Sequence, residues 1–361
     1  MKKLPKCEER KTTDNDTIEM LYDSNKASVC FFRSTRVYPE YKCLIQITER
    51  CNFKCKHCFL SANNAGNQMD INKIEKIVIP YFVKSQITKV TLTGGEPLVH
   101  CEIVRIINSF ADHGIDVTIC SNGSLISKHL IESITDLSKV KFNISVHGFT
   151  EESFTKFEEN TSSSSLDLIL KNLRLLSQYD LLKGILVTPN EYATIDEYIE
   201  LCEFAKCIGA KYVLFNPLSE YGRGIGAKGI SYDSTKLSAL KKATSRFIDQ
   251  NFDVIYIRFP NTGKGITRCN CKSILYLFQN GDISICPYMV FGTSNFNSQY
   301  QREQFILGNI YNTNETIGDL ISKYQLPISN AGNNDEIYKK GCMAIKIAKG
   351  MNIEALDQEM M

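Results

Sequence analysis

The chain has 361 residues, 43% of them hydrophobic and 23% charged, which suits a globular protein of one large domain plus an appendage and excludes a fibrous or disordered chain. Lys and Arg total 42 against 40 Asp and Glu, a net charge of +2 with no basic stripe, so a nucleic-acid partner is not expected. Polar residues follow Met1-Lys2-Lys3 and no apolar run reaches membrane-spanning length, so neither a signal core nor a membrane span is expected and the expected location is cytoplasmic.

Fourteen cysteines in such a chain favour metal or redox chemistry over a disulfide framework. Cys7, Cys30, Cys43, Cys101, Cys120, Cys202 and Cys207 are scattered and read as small core residues or exposed thiols. The other seven fall into two groups, taken below in chain order.

Residues 1–41 form an N-terminal extension, polar over its first twenty residues, with Ala27–Arg33 as a candidate short strand. From residue 42 strands and helices alternate. The β-branched run Lys42–Thr48 opens onto Cys51-Asn-Phe-Lys-Cys55-Lys-His-Cys58, a C-x3-C-x2-C loop. Three thiolates fill three corners of a cubane iron–sulfur cluster, whereas a closed structural zinc site needs four protein ligands. A zinc knuckle with a distant fourth ligand, or reduced cysteines without metal, is the plainer alternative.

Asp70 can cap a helix whose apolar positions Ile71, Ile74, Ile77, Val78 and Phe82 recur at helical spacing. Strand Ile87–Thr93 ends in Thr93-Gly-Gly-Glu-Pro97, where adjacent glycines allow close backbone approach and Pro97 stiffens Glu96; a plain turn is the alternative. A helix over 101–113, strand Asp116–Ser121 and a helix over 125–137 follow. Strand Val140–Val146 points Asn143, Ser145 and His147 to one face. A helix over 165–178, strand Lys183–Thr188, a helix over 194–208 and strand Lys211–Phe215 lead to Tyr221-Gly-Arg-Gly224 and a helix over 234–250. Six β/α units predict parallel strands joined by right-handed crossovers, too few to close an eightfold barrel. The polar and glycine motifs sit at the carboxyl ends of strands, where parallel α/β proteins keep their sites.

The alternation stops after Val254–Phe259. Ile274–Phe278 and Asp282–Ile285 flank Gln279-Asn-Gly281, a hairpin signal that returns Cys286 beside Cys271. A metal bound by Cys269, Cys271, Cys286 and Cys342 would stabilise so small a hairpin, and zinc is the alternative to a cluster there.

The cysteine loop, with Gly94-Gly95-Glu96-Pro97 one strand later, resembles the radical S-adenosylmethionine (radical SAM) superfamily. The resemblance implies an α/β fold, a partial (β/α)6 TIM-like barrel over 42–260. It implies a [4Fe-4S] cluster on Cys51, Cys55 and Cys58 whose open iron binds S-adenosylmethionine (SAM). His57 would lie against the adenine, Gly94, Gly95, Glu96 and Pro97 would meet the SAM amino group, and Ser121, Asn122, Asn143 and Ser145 would line the SAM pocket. Arg223 would approach the SAM carboxylate or the substrate, unless it is an ordinary surface arginine. Family members commonly read Ser-x-Asp-Gly where this chain reads Ser145-Val-His-Gly148, so His147 either contacts substrate or is hydrogen-bonded under a loop.

Residues 261–361 resemble the C-terminal iron–sulfur domain called SPASM or its shortened form, twitch. The full pattern needs about seven cysteines and only four lie past residue 260, so one auxiliary [4Fe-4S] cluster is implied. Cys269 and Cys271 stand one residue apart, tight for two corners of one cubane. The resemblance further implies a flavodoxin- or ferredoxin-type electron donor and an oxidising or cross-linking reaction on a ribosomally made peptide. The N-terminal extension is short for the winged-helix module that reads leader peptides in some related enzymes, which favours the alternative, a small-molecule intermediate. A non-catalytic metal-binding or regulatory protein is the third reading. The catalytic acid or base is not legible.

Overall fold

In the computed structural model, the residues described are 41–159, 165–257, 274–294, 298–325, Ala344 and Ile347. Seven strands follow one another in parallel: β1 (Tyr41–Thr48), β2 (Ile87–Gly94), β3 (Asp116–Ser121), β4 (Val140–Ser145), β5 (Leu182–Val187), β6 (Tyr212–Phe215) and β7 (Asp253–Tyr256). Their outward positions are largely Val, Ile, Leu and Phe because helices cover that face. The six expected core strands are all present, and the Val254 segment adds a seventh, β7, to the same parallel series.

The hairpin expected near residue 280 forms as β8 (Ile274–Leu277) and β9 (Asp282–Ser284), but it is not separate from the barrel sheet. β8 pairs in parallel with β1, and β10 (Ile306–Asn309) adds to β9. The result is one ten-stranded sheet in the order β10-β9-β8-β1-β2-β3-β4-β5-β6-β7, which stays open. As first strand of the series, β1 would otherwise leave a row of backbone donors and acceptors unpaired, and the hairpin covers that edge.

Helices pack on the outer face. The helix capped by Asp70, whose carboxylate accepts from the Asn72 N–H at 2.7 Å, is interrupted: α1 (Ile71–Lys73) passes through a widened π-type turn, Ile74–Val78, into α2 (Ile79–Lys84). Pro80 has no N–H to give the Lys76 carbonyl, and the ladder slips by one residue just before it. α3 (Ile103–Asp112), α4 (Lys128–Glu132), α6 (Leu166–Gln178), α7 (Ile195–Cys207) and α8 (Ser234–Thr244) match expected helices. Unforeseen are α5 (Glu151–Glu158), started by a Thr150–Ser153 capping box, and α9 (Pro287–Gly292); α10 (Ile317–Lys323) is the short helix after β10.

Outward strand residues such as Leu92, Ile119, Phe142, Ile144 and Phe215 are buried against these helices. The inner face carries Lys42, Thr91, Cys120, Asn143 and Tyr212 in alternation, and Leu186, Leu214 and Ile257 form a separate small apolar group there. No helix among the described residues is long and apolar enough to cross a membrane.

Candidate metal and cofactor site

The cysteine loop leaves β1 and returns to it: the Glu49 N–H donates to the Asn67 carbonyl at 2.9 Å and the Met69 N–H to the Ile47 carbonyl at 2.8 Å. Cys51, Cys55 and Cys58 are free, half-buried thiols. The Phe53 N–H points at Cys51 Sγ and the Ala62 N–H at Cys58 Sγ, both at 3.4 Å, as donors that stabilise negative sulfur. Burial, then the Glu96 carboxylate, pushes the Cys51 thiol up to about 12. Burial, then Glu158 and the two neighbouring thiols, pushes Cys55 well above its ordinary value.

Thiols so placed become thiolates only beside a strong cation, as iron in a cluster supplies. Among the described residues no three Cys, His, Asp or Glu side chains draw together around a single ion. Three thiols supplied by one short loop, with backbone N–H groups aimed at two of the sulfurs, fit three corners of a cubane iron–sulfur cluster.

His57 stacks on Phe157 (centroids 4.8 Å apart, planes at 4°) and meets His147 edge-on at 4.3 Å. Phe157 thus covers one of its faces. Burial, then Arg223, pushes its pKa down to about 3, and its buried Nδ1 has no hydrogen-bond partner among the described residues. His147 Nδ1 accepts from the Thr188 N–H at 2.8 Å, which leaves the ring proton on Nε2. Its carbonyl takes the Asn190 amide at 2.7 Å and the Tyr198 hydroxyl at 3.1 Å. These bonds fit the hydrogen-bonded role under a loop. The His147 N–H donates to Glu158 Oε1 at 3.3 Å. Glu158, pushed up to about 8 by burial, is a site carboxylate that the sequence reading missed. Its signal was there: Phe154, Phe157 and Glu158 share the inner stripe of the capped helix α5.

Gly94 and Gly95 are required by close approach. A Cβ on Gly94 would stand 2.2 Å from the Thr48 carbonyl oxygen, and one on Gly95 2.2 Å from that of Arg50. The Gly95 and Glu96 N–H groups donate to those same carbonyls at 2.9 and 2.8 Å. Pro97 starts a single 3-10 turn, Pro97–Val99. The buried Glu96 carboxylate accepts from the Leu98 N–H (3.0 Å), Ser121 Oγ (2.8 Å) and the Asn122 N–H (2.7 Å). With three bonds made, roughly one of its four acceptor positions is left for a ligand ammonium. Desolvation raises its pKa to about 7 against these bonds. Asn122 extends the lattice to Asn52 of the cysteine loop at 2.9 Å, and Asn52 reaches Ser124 Oγ at 2.8 Å. Ser121 and Asn122 thus join Glu96 and the loop. Asn143 instead accepts from the Tyr212 hydroxyl at 2.7 Å inside the barrel, and Ser145 is half-buried at the end of β4.

Arg223 is brought to the loop with partners other than a ligand carboxylate. Its Nε donates to the Cys55 carbonyl at 2.8 Å, its Nη1 to the Ala62 carbonyl at 2.7 Å and its backbone N–H to the Cys58 carbonyl at 3.0 Å. Gly222, at φ +53°, lets this segment press in: a Cβ there would lie 2.5 Å from the Cys58 carbonyl oxygen. Of the second cysteine group, Cys286 is buried at the start of α9, while Cys269, Cys271 and Cys342 lie outside the described residues. Phe59, next to Cys58, packs on Tyr288 and Phe291 of α9 at 5.7 and 5.1 Å, joining the two regions.

Residues 45–205 match the model of the radical SAM superfamily. The antilisterial bacteriocin subtilosin biosynthesis protein AlbA of Bacillus subtilis is 25% identical over 270 residues, 74% of this chain and 56% of that one. The GTP 3',8-cyclase of Aliarcobacter butzleri is 27% identical over 207 residues, 55% of this chain and 62% of that one. The chain therefore spans less than two thirds of either of these two relatives. The structure of Streptococcus suis SuiB bound to S-adenosylmethionine shares the fold with a TM-score of 0.68 at 17% identity, covering 88% of this chain and 76% of that one. With the open parallel sheet, these similarities identify the expected partial barrel, and residues 45–205 form a radical SAM domain, the mark of a superfamily of enzymes whose members use SAM and a [4Fe-4S] cluster.

Proposed function

We propose that this chain cleaves SAM reductively and abstracts a hydrogen atom from a ribosomally made peptide, which it oxidises or cross-links. The observation that carries the reading is the loop of three free thiols locked against the buried Glu96 lattice at the strand ends. When bound, the cluster and SAM supply a 5'-deoxyadenosyl radical that takes hydrogen from a C–H bond. Cys51, Cys55 and Cys58 hold three irons, and the Phe53 and Ala62 N–H groups support two of the sulfurs. Glu96 and the Gly94–Gly95 backbone receive the SAM ammonium; Ser121 and Asn122 fix Glu96, and Arg223 fixes the loop. His57 offers its unpartnered Nδ1 to the nucleoside side of the site. Cys286, with Cys269, Cys271 and Cys342, would hold one auxiliary [4Fe-4S] cluster of a SPASM or twitch type, and a flavodoxin- or ferredoxin-type protein would supply electrons.

The peptide reading is supported by AlbA, a bacteriocin biosynthesis protein, and by the structure of SuiB bound to the precursor peptide SuiA, similar in fold with a TM-score of 0.66 at 18% identity. Similarity to GTP 3',8-cyclase favours a second reading, a nucleotide-like small molecule. Anaerobic reconstitution tests the chemistry: with dithionite and SAM the protein should release 5'-deoxyadenosine, and about eight irons per chain should fall to about four in the Cys51→Ala/Cys55→Ala/Cys58→Ala variant. Absence of 5'-deoxyadenosine would leave a non-catalytic metal protein.

A further inference from the structure

One register row crosses the inner face beneath the cysteine loop. Ser284 of β9 lies opposite Tyr276 of β8, Tyr276 opposite Leu44 of β1, and Leu44 opposite Thr91 of β2. Residues in register project to the same face. Ser284, Tyr276 and Thr91 are 0%, 1% and 3% exposed, and all three hydroxyls lack a hydrogen-bond partner among the described residues. A buried hydroxyl left unpaired costs stability, so three in one row are poorly explained by the fold alone. Tyr288, Cys43, Cys58 and Cys120 lie within electrostatic reach of the Tyr276 phenol.

One rung lower on the same face is Lys42, paired in register with Lys89. Neither Lys42 nor Lys183 of β5 makes an ion pair among the described residues, and the nearby Asp116 is already engaged by Lys139 at 3.1 Å. Desolvation, then mutual repulsion with Lys183, lowers Lys42 to about 8. Lys183 is lowered chiefly by burial and feels Cys120, Lys89, Asp116 and Lys141. The opposite wall is apolar: Leu186, Leu214 and Ile257, with Tyr212 and Cys120 at its margin.

We propose that this interior is a subsite for an anionic group of the substrate, a carboxylate or a phosphate, held by the Lys42 and Lys183 ammonium groups and the hydroxyl row of Thr91, Tyr276 and Ser284, with an apolar part of the substrate against Leu186 and Leu214. Lys42 and Lys183 repel each other, the one nearby carboxylate, Asp116, is shared with Lys139, and an anion beside the two ammonium groups relieves that repulsion. The assignment rests on the radical SAM reading, since it places the substrate below the cysteine loop.

The test is calorimetric binding of two probes, triglutamate peptide and inorganic tripolyphosphate, to the anaerobically reconstituted full chain at low salt. At least one should bind, and Lys42→Gln/Lys183→Gln should weaken it about tenfold or more, as loss of a charged hydrogen bond does. Lys171→Gln, on the exposed face of α6, should change nothing. The tighter probe identifies the source, an acidic peptide or a nucleotide phosphate. Tyr276→Phe should weaken binding while leaving the melting temperature equal or higher. The proposal is overturned if neither probe binds, if binding survives the lysine double variant, or if Tyr276→Phe lowers the melting temperature. Iron content and 5'-deoxyadenosine release, measured on the same preparations, report separately on the radical SAM reading.

Discussion

Replacing Arg223 should loosen the cysteine loop before it touches any chemistry. The guanidinium spans two carbonyls, Cys55 at 2.8 Å and Ala62 at 2.7 Å, and its planar fork does so without bending the loop. Charge-assisted hydrogen bonds contribute about 1.5–3 kcal/mol each, and partial exposure puts this pair near the lower bound, about 3 kcal/mol in all. Arg223→Ala removes both. Arg223→Lys keeps the charge, but a compact ammonium restores one bond at best, so its loss is about 1.5 kcal/mol. Hydrogen exchange on metal-free protein reads the difference: at about 1.4 kcal/mol per tenfold, amides across 55–62 should exchange about a hundredfold faster in Arg223→Ala and about tenfold faster in Arg223→Lys. Iron retained after reconstitution and desalting should fall in the same order. Wild-type exchange and full iron content in Arg223→Ala would refute the clamp and leave Arg223 as a ligand-binding residue only.

Other consequences are separable. Gly95→Ala drives a methyl group to 2.2 Å from the Arg50 carbonyl and should lower the melting temperature sharply, whereas Gly229→Ala, with nothing within 4 Å, should not. Glu96 is raised from 4.5 in the unfolded chain to about 7, so the stability it contributes is complete below 4.5 and is lost as pH rises through 7. Urea denaturation of metal-free protein should show this loss as the difference between wild type and Glu96→Gln, about 3 kcal/mol at most between pH 5 and pH 8, since Glu158, His57 and His147 contribute equally to both profiles. Phe59→Ala removes ring packing on Tyr288 and Phe291 and should cost about 2–3 kcal/mol by the same denaturation assay, below the full core value because Phe59 is half-buried.

Much of this was legible because local pattern and local structure agree. Each of the six expected strands forms within a residue or two of its apolar run, and Thr93–Pro97 sits at a strand end as its glycines demanded. What the sequence hid is non-local. Nothing in Ile274–Leu277 says that its partner is β1, because register between distant strands is set by which edge remains unpaired. Arg223 was visible, but its partners are backbone carbonyls, which every residue possesses, so no spacing could announce them. Glu158 was overlooked because its helix is short and mostly polar, and only the capping box and the two phenylalanines betray a buried stripe. The helix widening at Pro80 was legible in principle from the proline alone.

The pairing of β8 with β1 also dictates when the molecule can be completed. The strand that launches the cysteine loop is among the first parts of the barrel to be synthesised, yet its outer neighbour lies more than two hundred residues downstream. Until the ribosome has delivered that neighbour, the nascent barrel carries a bare apolar strand at the root of its cysteine loop, a template for pairing with another chain. A chain truncated before residue 274 should therefore aggregate rather than assemble a smaller working core.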